Sequence, residues 1–255
     1  MKTKTLISKL AKRFPKRLAK RNHDYVGLMA GKLKEDVQTI LLCLDFDEEV
    51  YEIAKAKRPD LIISHHPFIF GSKVKVLKTD EEKRVLYEKI NELDIPVYSM
   101  HTNFDEGNGG MNDALSAALG LNNVFAPELE PMMRCGYLDK PMSITDFVGY
   151  AKRQLNVSYG LLVNSGTKTI HSVGIIGGGG SHDWRIAKDA GMDIYISGDA
   201  PHHVRRDIVR AHYNYLDLPH EIEKIFMKTM EELLHQYDST LKVIIVDHEQ
   251  LPTVI

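Results

Sequence analysis

Two adjacent imidazoles, His65 and His66, close the apolar run Leu61-Ile62-Ile63-Ser64, and a histidine pair at a strand terminus is placed to hold a metal ion. The pairing of histidine with carboxylate recurs along the chain: His101 precedes Asp105, Asp199 precedes His202-His203, and His220 precedes Glu223. In open α/β sheets ligands gather outside the carboxyl ends of the strands, and His65, His66, Asp105 and Asp199 all lie at or just beyond such ends. His220 and Glu223, three residues apart, share one face of a helix. Five donors, His65, His66, Asp105, His220 and Glu223, exceed what one tetrahedral zinc needs and suit two ions sharing a carboxylate. Imidazole with carboxylate fits zinc, iron or manganese, whereas calcium takes more oxygen.

Each cluster alone has a plainer reading. Asp105 followed by Glu106-Gly107-Asn108-Gly109-Gly110 has the composition of a turn before a helix. Glu223 has the placement of a first-turn acid favoured by the helix dipole. Their joint occurrence at element ends favours metal. The glycine run Gly177, Gly178, Gly179 and Gly180 follows an apolar strand and precedes a helix, so its N–H groups are candidates to receive the phosphate of a nucleotide. It matches neither the Walker pattern nor a full dinucleotide fingerprint, and a tight turn explains it equally well.

The elements that must position these residues alternate. Thr39 to Leu44, Leu61 to Ser64, Pro96 to Met100 and His171 to Ile176 read as strands. Glu48 to Arg58, Glu81 to Leu93, Met111 to Leu119 and Asp183 to Ala190 read as helices, and this order predicts α/β architecture with mixed sheets covered by helices. Shifting the first half by 133 residues lays Ile53-Ala54-Lys55 on Ile186-Ala187-Lys188, Asp60 on Asp193, and Ile63-Ser64 on Ile196-Ser197. It also lays His65-His66 on Gly198-Asp199. The expected fold is therefore an internal pseudo-duplication: two similar α/β lobes, 1–125 and 126–255, with the metal site in the cleft between them. The C-terminal segment is a candidate to pack back on the first lobe.

At 255 residues, 43% hydrophobic and 27% charged, the chain has the composition of a soluble globular protein. No stretch approaches the roughly 20 apolar residues of a membrane span, so a cytoplasmic location and no membrane partner are expected. Cys43 and Cys135 sit in apolar stretches and read as buried thiols, which leaves the metal to nitrogen and oxygen donors. A net charge of −2 makes nucleic acid an unlikely partner. The exception is local: Lys2 to Arg21 carries nine Lys or Arg and no acid. Leu6, Leu10 and Phe14 at helical spacing make this segment a helix docked on a core, with a basic outer face. A mitochondrial presequence is a weaker reading, since serine is scarce there.

The chain resembles the GTP cyclohydrolase I type 2 homologues, also called Nif-three-like dinuclear-metal proteins, in their short form without an inserted domain. Asp24-Tyr25-Val26-Gly27-Leu28 is similar to the family's early D-N-V-G-L segment, and Ile62-Ile63-Ser64-His65-His66-Pro67 to its His-His-Pro signature. His101-Thr102-Asn103-Phe104-Asp105 with Gly110-Met111-Asn112, the run Gly177 to Ser181, Gly198-Asp199 with His203, and His220 to Glu223 complete the likeness. The resemblance implies a toroidal homohexamer with two metal ions per subunit. It places the ligands on His65, His66, Asp105, His220 and Glu223, with His101 and His203 beside the metals as proton carriers. Tyr25 stands where the family has Asn, His23 where it has Trp, and Pro219 where Gly is common; the variable final spacing leaves Glu221 as an alternative to Glu223. The implied function is a metal-dependent hydrolase acting on a nucleotide or phosphorylated small molecule. The rival is a hexameric metal-containing scaffold or regulatory protein without catalysis.

Overall fold

The computed structural model describes residues 1–253, and its chain divides into two units. The first comprises Met1–Asn108 with Phe226–Glu249, and the second comprises Gly109–Ile225 with the described residues from Gln250 onward. This differs from a single cut at 125/126: residues 109 to 125 group with the second unit, and the chain returns to the first near its end.

The first unit opens with α1 (Thr3–Arg13) and α2 (Lys16–Arg21). The basic segment is thus two helices rather than one, because Pro15 lacks the N–H that would continue the first. Leu6, Leu10 and Phe14 are buried, as their spacing predicts. Then come β1 (Gly27–Ala30), β2 (Thr39–Cys43), α3 (Glu48–Lys57), β3 (Leu61–Ser64), α4 (Lys73–Thr79), α5 (Glu81–Glu92), β4 (Val97–Ser99) and α6 (Thr102–Glu106). Asp47 caps α3 by accepting from the Val50 N–H at 3.0 Å, and Arg58 ends it in the left-handed region at φ 51° before Pro59.

The second unit contains α7 (Met111–Ala118), β5 (Asn122–Phe125), β6 (Arg134–Ser143), α8 (Ile144–Gln154), β7 (Leu161–Asn164), β8 (Thr169–Ile175), α9 (Trp184–Asp189), β9 (Ile194–Ser197), α10 (His202–Arg210) and β10 (Asn214–Asp217). One 3-10 turn, Ser181–Asp183, leads into α9; another, His220–Lys224, follows β10. The chain re-enters the first unit through α11 (Ile225–Tyr237) and β11 (Lys242–Val246).

Both units are built on a mixed sheet. The first has strand order β1-β4-β3-β2-β11 and the second β5-β6-β8-β9-β10-β7. In the first, β4, β3, β2 and β11 run parallel and β1 antiparallel on the edge. In the second, β8, β9 and β10 run parallel, with β7 antiparallel on one edge and β6 antiparallel on the other side. Strands β2 to β4 and β1 therefore have counterparts in β8 to β10 and β7. Strands β3 and β9 are buried along their whole length, which is why they read as continuous apolar runs.

A residue-level repeat underlies this topology. One carboxylate oxygen of Asp60 accepts from the N–H groups of Gln38 and Thr39 at 2.9 and 3.0 Å. One carboxylate oxygen of Asp193 accepts from His171 and Ser172 at 2.8 and 2.9 Å. Each aspartate thus ties the start of its own strand to the neighbouring one, Asp60 at the start of β2 and Asp193 within β8. Both cysteines are buried free thiols. Among the described residues no helix is long and apolar enough to cross a membrane.

Candidate metal centre

In the first unit the candidate ligands His65, His66 and Asp105 follow the carboxyl ends of two neighbouring parallel strands, β3 and β4. Past β3 the chain keeps its ladder, with the His65 N–H on the Cys43 carbonyl at 3.1 Å and the His66 N–H on that of Leu44 at 2.9 Å. Ser64 Oγ donates to the His66 carbonyl at 2.9 Å and pairs with Ser99 Oγ at 2.8 Å, so the turn that presents the two imidazoles is pinned from below. His65 is fully buried. Its ring packs against that of Phe226 with centroids 5.0 Å apart.

Every imidazole of this cluster is oriented through Nδ1. His65 Nδ1 donates to the Met100 carbonyl at 2.9 Å, which leaves Nε2 with the lone pair. His66 Nδ1 is 2.8 Å from Asp45 Oδ2, and His101 Nδ1 is 2.8 Å from Asp24 Oδ2. Asp24 is itself fixed by Thr102, through its N–H at 3.2 Å and its hydroxyl at 2.7 Å, and by the Tyr25 N–H at 2.7 Å. Burial pushes the Asp24 carboxyl up, but His101 and the other donors outweigh it and hold the group below the usual carboxylate range.

The three rings stand 5.0 to 5.5 Å apart, and each offers a nitrogen within 4.8 Å of the others. Asp105, buried on α6, places Oδ1 3.5 Å from His65 Nε2. Histidines whose outer nitrogen is held by a carboxylate or a carbonyl, with the inner nitrogen turned to a shared point, have the arrangement of metal ligands with their supporting shell.

The second unit repeats the device at its own strand ends. Asp199 follows β9 in the left-handed region at φ 57°, and its carboxylate meets His220 Nδ1 at 2.5 Å. His220 Nε2 lies 3.1 Å from Glu223 Oε2, and the Glu223 side chain is only 4% exposed. The two residues share a 3-10 turn instead of an α-helix, in which residues three apart eclipse. The Glu223 hydrogen bond is the main cause raising the His220 pKa; against burial, and with the charges of Glu223 and Asp199, it brings the group to about 9. A buried carboxylate and an imidazole holding a proton between them offer a cation the same two lone pairs. Glu223 is buried and bonded to His220, whereas Glu221 is partly exposed.

Third strands end alike in both units: His101 with Asp105 follows β4, and His220 with Glu223 follows β10. These N and O donors fit divalent ions of the zinc, iron or manganese type.

Gly177 and Gly178 pack over Glu223, and Gly178 also meets His220. A Cβ at Gly178, where φ is +65°, would strike the Glu223 carboxylate and come within 3.0 Å of His220 Nε2. The Gly177 N–H donates to Asn112 Oδ1 at 2.8 Å and the Gly180 N–H to the Gly178 carbonyl at 3.0 Å. Close approach to the Glu223 pair accounts for Gly178, and packing against Ile176 and Tyr195 for Gly180. His203 stands exposed on the first turn of α10, its ring 5.9 Å from that of His182.

Asp24 and Asp45 did not emerge from the sequence as parts of the site. Their partners are 77 and 21 residues away, and the available signal was an acid directly after the buried run Ile40 to Leu44 or just before β1.

A family model described as Duf34/NIF3 (NGG1p interacting factor 3) matches residues 1–252. A GTP cyclohydrolase 1 type 2 homolog of Clostridium perfringens is 32% identical over 237 residues, covering 89% of each chain. NIF3-like protein 1 of Drosophila melanogaster is 33% identical over 189 residues, covering 71% of this chain and 63% of that protein. Among solved structures, a hypothetical protein of Staphylococcus aureus superposes with a TM-score of 0.88 at 25% identity over 99% of each chain.

Proposed function

The chain belongs to the Duf34/NIF3 family, and we propose that it holds two divalent metal ions and hydrolyses a nucleotide or related phosphorylated small molecule. The observation that carries this reading is the common orientation of four imidazoles, each with Nδ1 held at a strand end beside a carboxylate-bearing turn. The proposed ligands are His65, His66 and Asp105 from the first unit and His220 and Glu223 from the second. Zinc, iron or manganese bound there would lower the pKa of a water towards neutrality and polarise the group under attack.

The chain's own residues would orient and move protons. Asp24 holds His101 by Nδ1, so the opposite nitrogen is the end that takes a proton, and the carboxylate stabilises the imidazolium that results. His203, exposed on α10, would pass a proton to solvent. Ser64 fixes the turn that carries His66, Asp45 and Asp199 fix ring orientation, and none of the three would take part in bond making. The nucleotide class is supported by the likeness to the GTP cyclohydrolase 1 type 2 homolog of Clostridium perfringens. A cytoplasmic homohexamer belongs to the same proposal.

Hydrolysis assays of the metal-loaded protein against GTP and a panel of nucleotides, beside the Asp105→Ala variant, test it. Turnover that falls about 100-fold or more in the variant is the expected result. Metal-loaded protein inert towards the whole panel would instead favour a scaffold.

A further inference from the structure

The first unit contains a second pocket, beside the metal cluster, that neither the ligands nor the proton carriers use. It has a volume of about 340 Å³ and lies where α2, the loop before β1, and α4 meet, lined by Lys16, Lys20, Asp24, Tyr25 and Lys73 among others. We propose that this pocket binds a nucleoside phosphate, with the base against Tyr25 and Phe70 and the phosphates on Lys16 and Lys20. This assignment rests on the phosphorylated-substrate reading above and names where that substrate is held.

The aromatic wall is the first observation. Tyr25 is 44% exposed and Phe70 56% exposed, and their rings meet edge to face with centroids 5.5 Å apart. Phe70 sits between the lining residues Ile69 and Gly71, so the pair extends the pocket outward as an apolar face on which a base can stack. The volume lies within the range of small-molecule sites.

The charge is the second. Among the described residues Lys16, Lys20 and Lys73 form no ion pair. Lys73 is partly occupied, its Nζ 4.2 Å from the centre of the Tyr87 ring and 3.4 Å from the Met29 carbonyl. A Cβ at Gly27, where φ is +107°, would overlap the Lys16 Nζ, so the glycine is what lets that ammonium lie down at the start of β1. The one acid lining the pocket, Asp24, spends its carboxylate on His101, Thr102 and the Tyr25 N–H. Uncompensated cations beside an exposed aromatic pair select a ligand with a flat ring and several negative charges.

The duplicated fold supplies an internal contrast. Tyr159 precedes β7 by two residues, as Tyr25 precedes β1. The cavity at Tyr159 is lined by Asp199 and Asp217 and by no lysine or arginine. The same position in the second unit therefore offers an anion no ammonium. Since Asp24 both lines the lysine-bearing pocket and orients His101, a ligand there lies against the support of a proposed proton carrier.

Isothermal titration of the metal-loaded full-length protein with GTP, guanosine and inorganic triphosphate tests the assignment, with metal content and sedimentation measured on every variant. GTP should bind, and guanosine and triphosphate each about tenfold or more weaker. Lys16→Ala with Lys20→Ala, and separately Tyr25→Ala, should each weaken GTP about tenfold or more while metal content stays at the wild-type value. Tyr25→Phe should bind like wild type. Asp105→Ala should lose metal and keep GTP; binding that survives there while the metal-loaded wild type turns over no nucleotide sinks the hydrolase and leaves the pocket standing. GTP bound with wild-type affinity by both alanine variants would overturn the proposal. So would a Tyr25→Ala protein whose only change is dissociation of an assembly, because the aromatic pair would then be a contact between copies.

Discussion

Four histidines in this chain are held by the nitrogen that faces away from the proposed ions, three by carboxylates and His65 by a backbone carbonyl. Such outer partners fix the tautomer and raise the basicity of the inner nitrogen. Asp45→Asn should accordingly weaken metal retention about 10- to 100-fold without unfolding the protein, measured by competition against a graded series of chelators. An affinity equal to wild type would show that Asp45 is a bystander. Gly178→Ala is the complementary test, since the new methyl meets the Glu223 carboxylate in a backbone region that disfavours alanine. A loss of about 1–3 kcal/mol in urea unfolding is expected, together with lower metal content. The proposed donors themselves were legible because histidine and acid sit where apolar runs stop. Asp24 and Asp45 were not, because only the fold brings them to rings 77 and 21 residues distant.

At the scale of elements, Asp60 and Asp193 each accept two successive N–H groups of a neighbouring strand. Removing either carboxylate leaves those donors unpaired, so Asp60→Ala and Asp193→Ala should each cost about 1–3 kcal/mol. Similar values for both, from denaturant midpoints, would mark them as equivalent parts of a repeated unit; a neutral Asp193→Ala would end that equivalence. The C-terminal strand is fastened by a different contact, His248 Nε2 to the α3 cap Asp47 at 2.8 Å. Burial pulls the His248 pKa down, but the hydrogen bond and charge of Asp47 outweigh it and leave the group above its ordinary value. Its stabilisation is therefore complete below the unfolded value of about 6.5 and disappears as pH rises through the folded one. His248→Ala should lower the melting temperature at pH 5.5 and make progressively less difference on the alkaline side; a pH-independent deficit would assign the contact to packing alone. The parallel strands β2, β3, β4 and β8 were readable as apolar runs, whereas β10, polar at both ends, and β11, only partly buried, were not. The exposed strands β5 and β7 were not, being short and without alternation, and the break at Pro15 was hidden by a basic pattern continuous across it.

For the molecule as a whole, the sequence repeat at an offset of 133 corresponds to two mixed sheets that share four strands in the same order. A linear reading could not place residues 109 to 125 or α11, since strand pairing and packing, not chain order, decide the units. Ions that bind the folded chain stabilise it by mass action. Chelator-stripped protein should melt at a lower temperature and recover on adding back zinc, iron or manganese; an unchanged melting curve would separate the donors from any role in stability. The most direct test of the metal centre is elemental analysis of protein purified without chelators, beside the Asp105→Ala and Glu223→Ala variants. Two transition-metal ions per wild-type chain, reduced in both variants, is the predicted result. A wild-type chain free of zinc, iron and manganese after growth with those metals would contradict it.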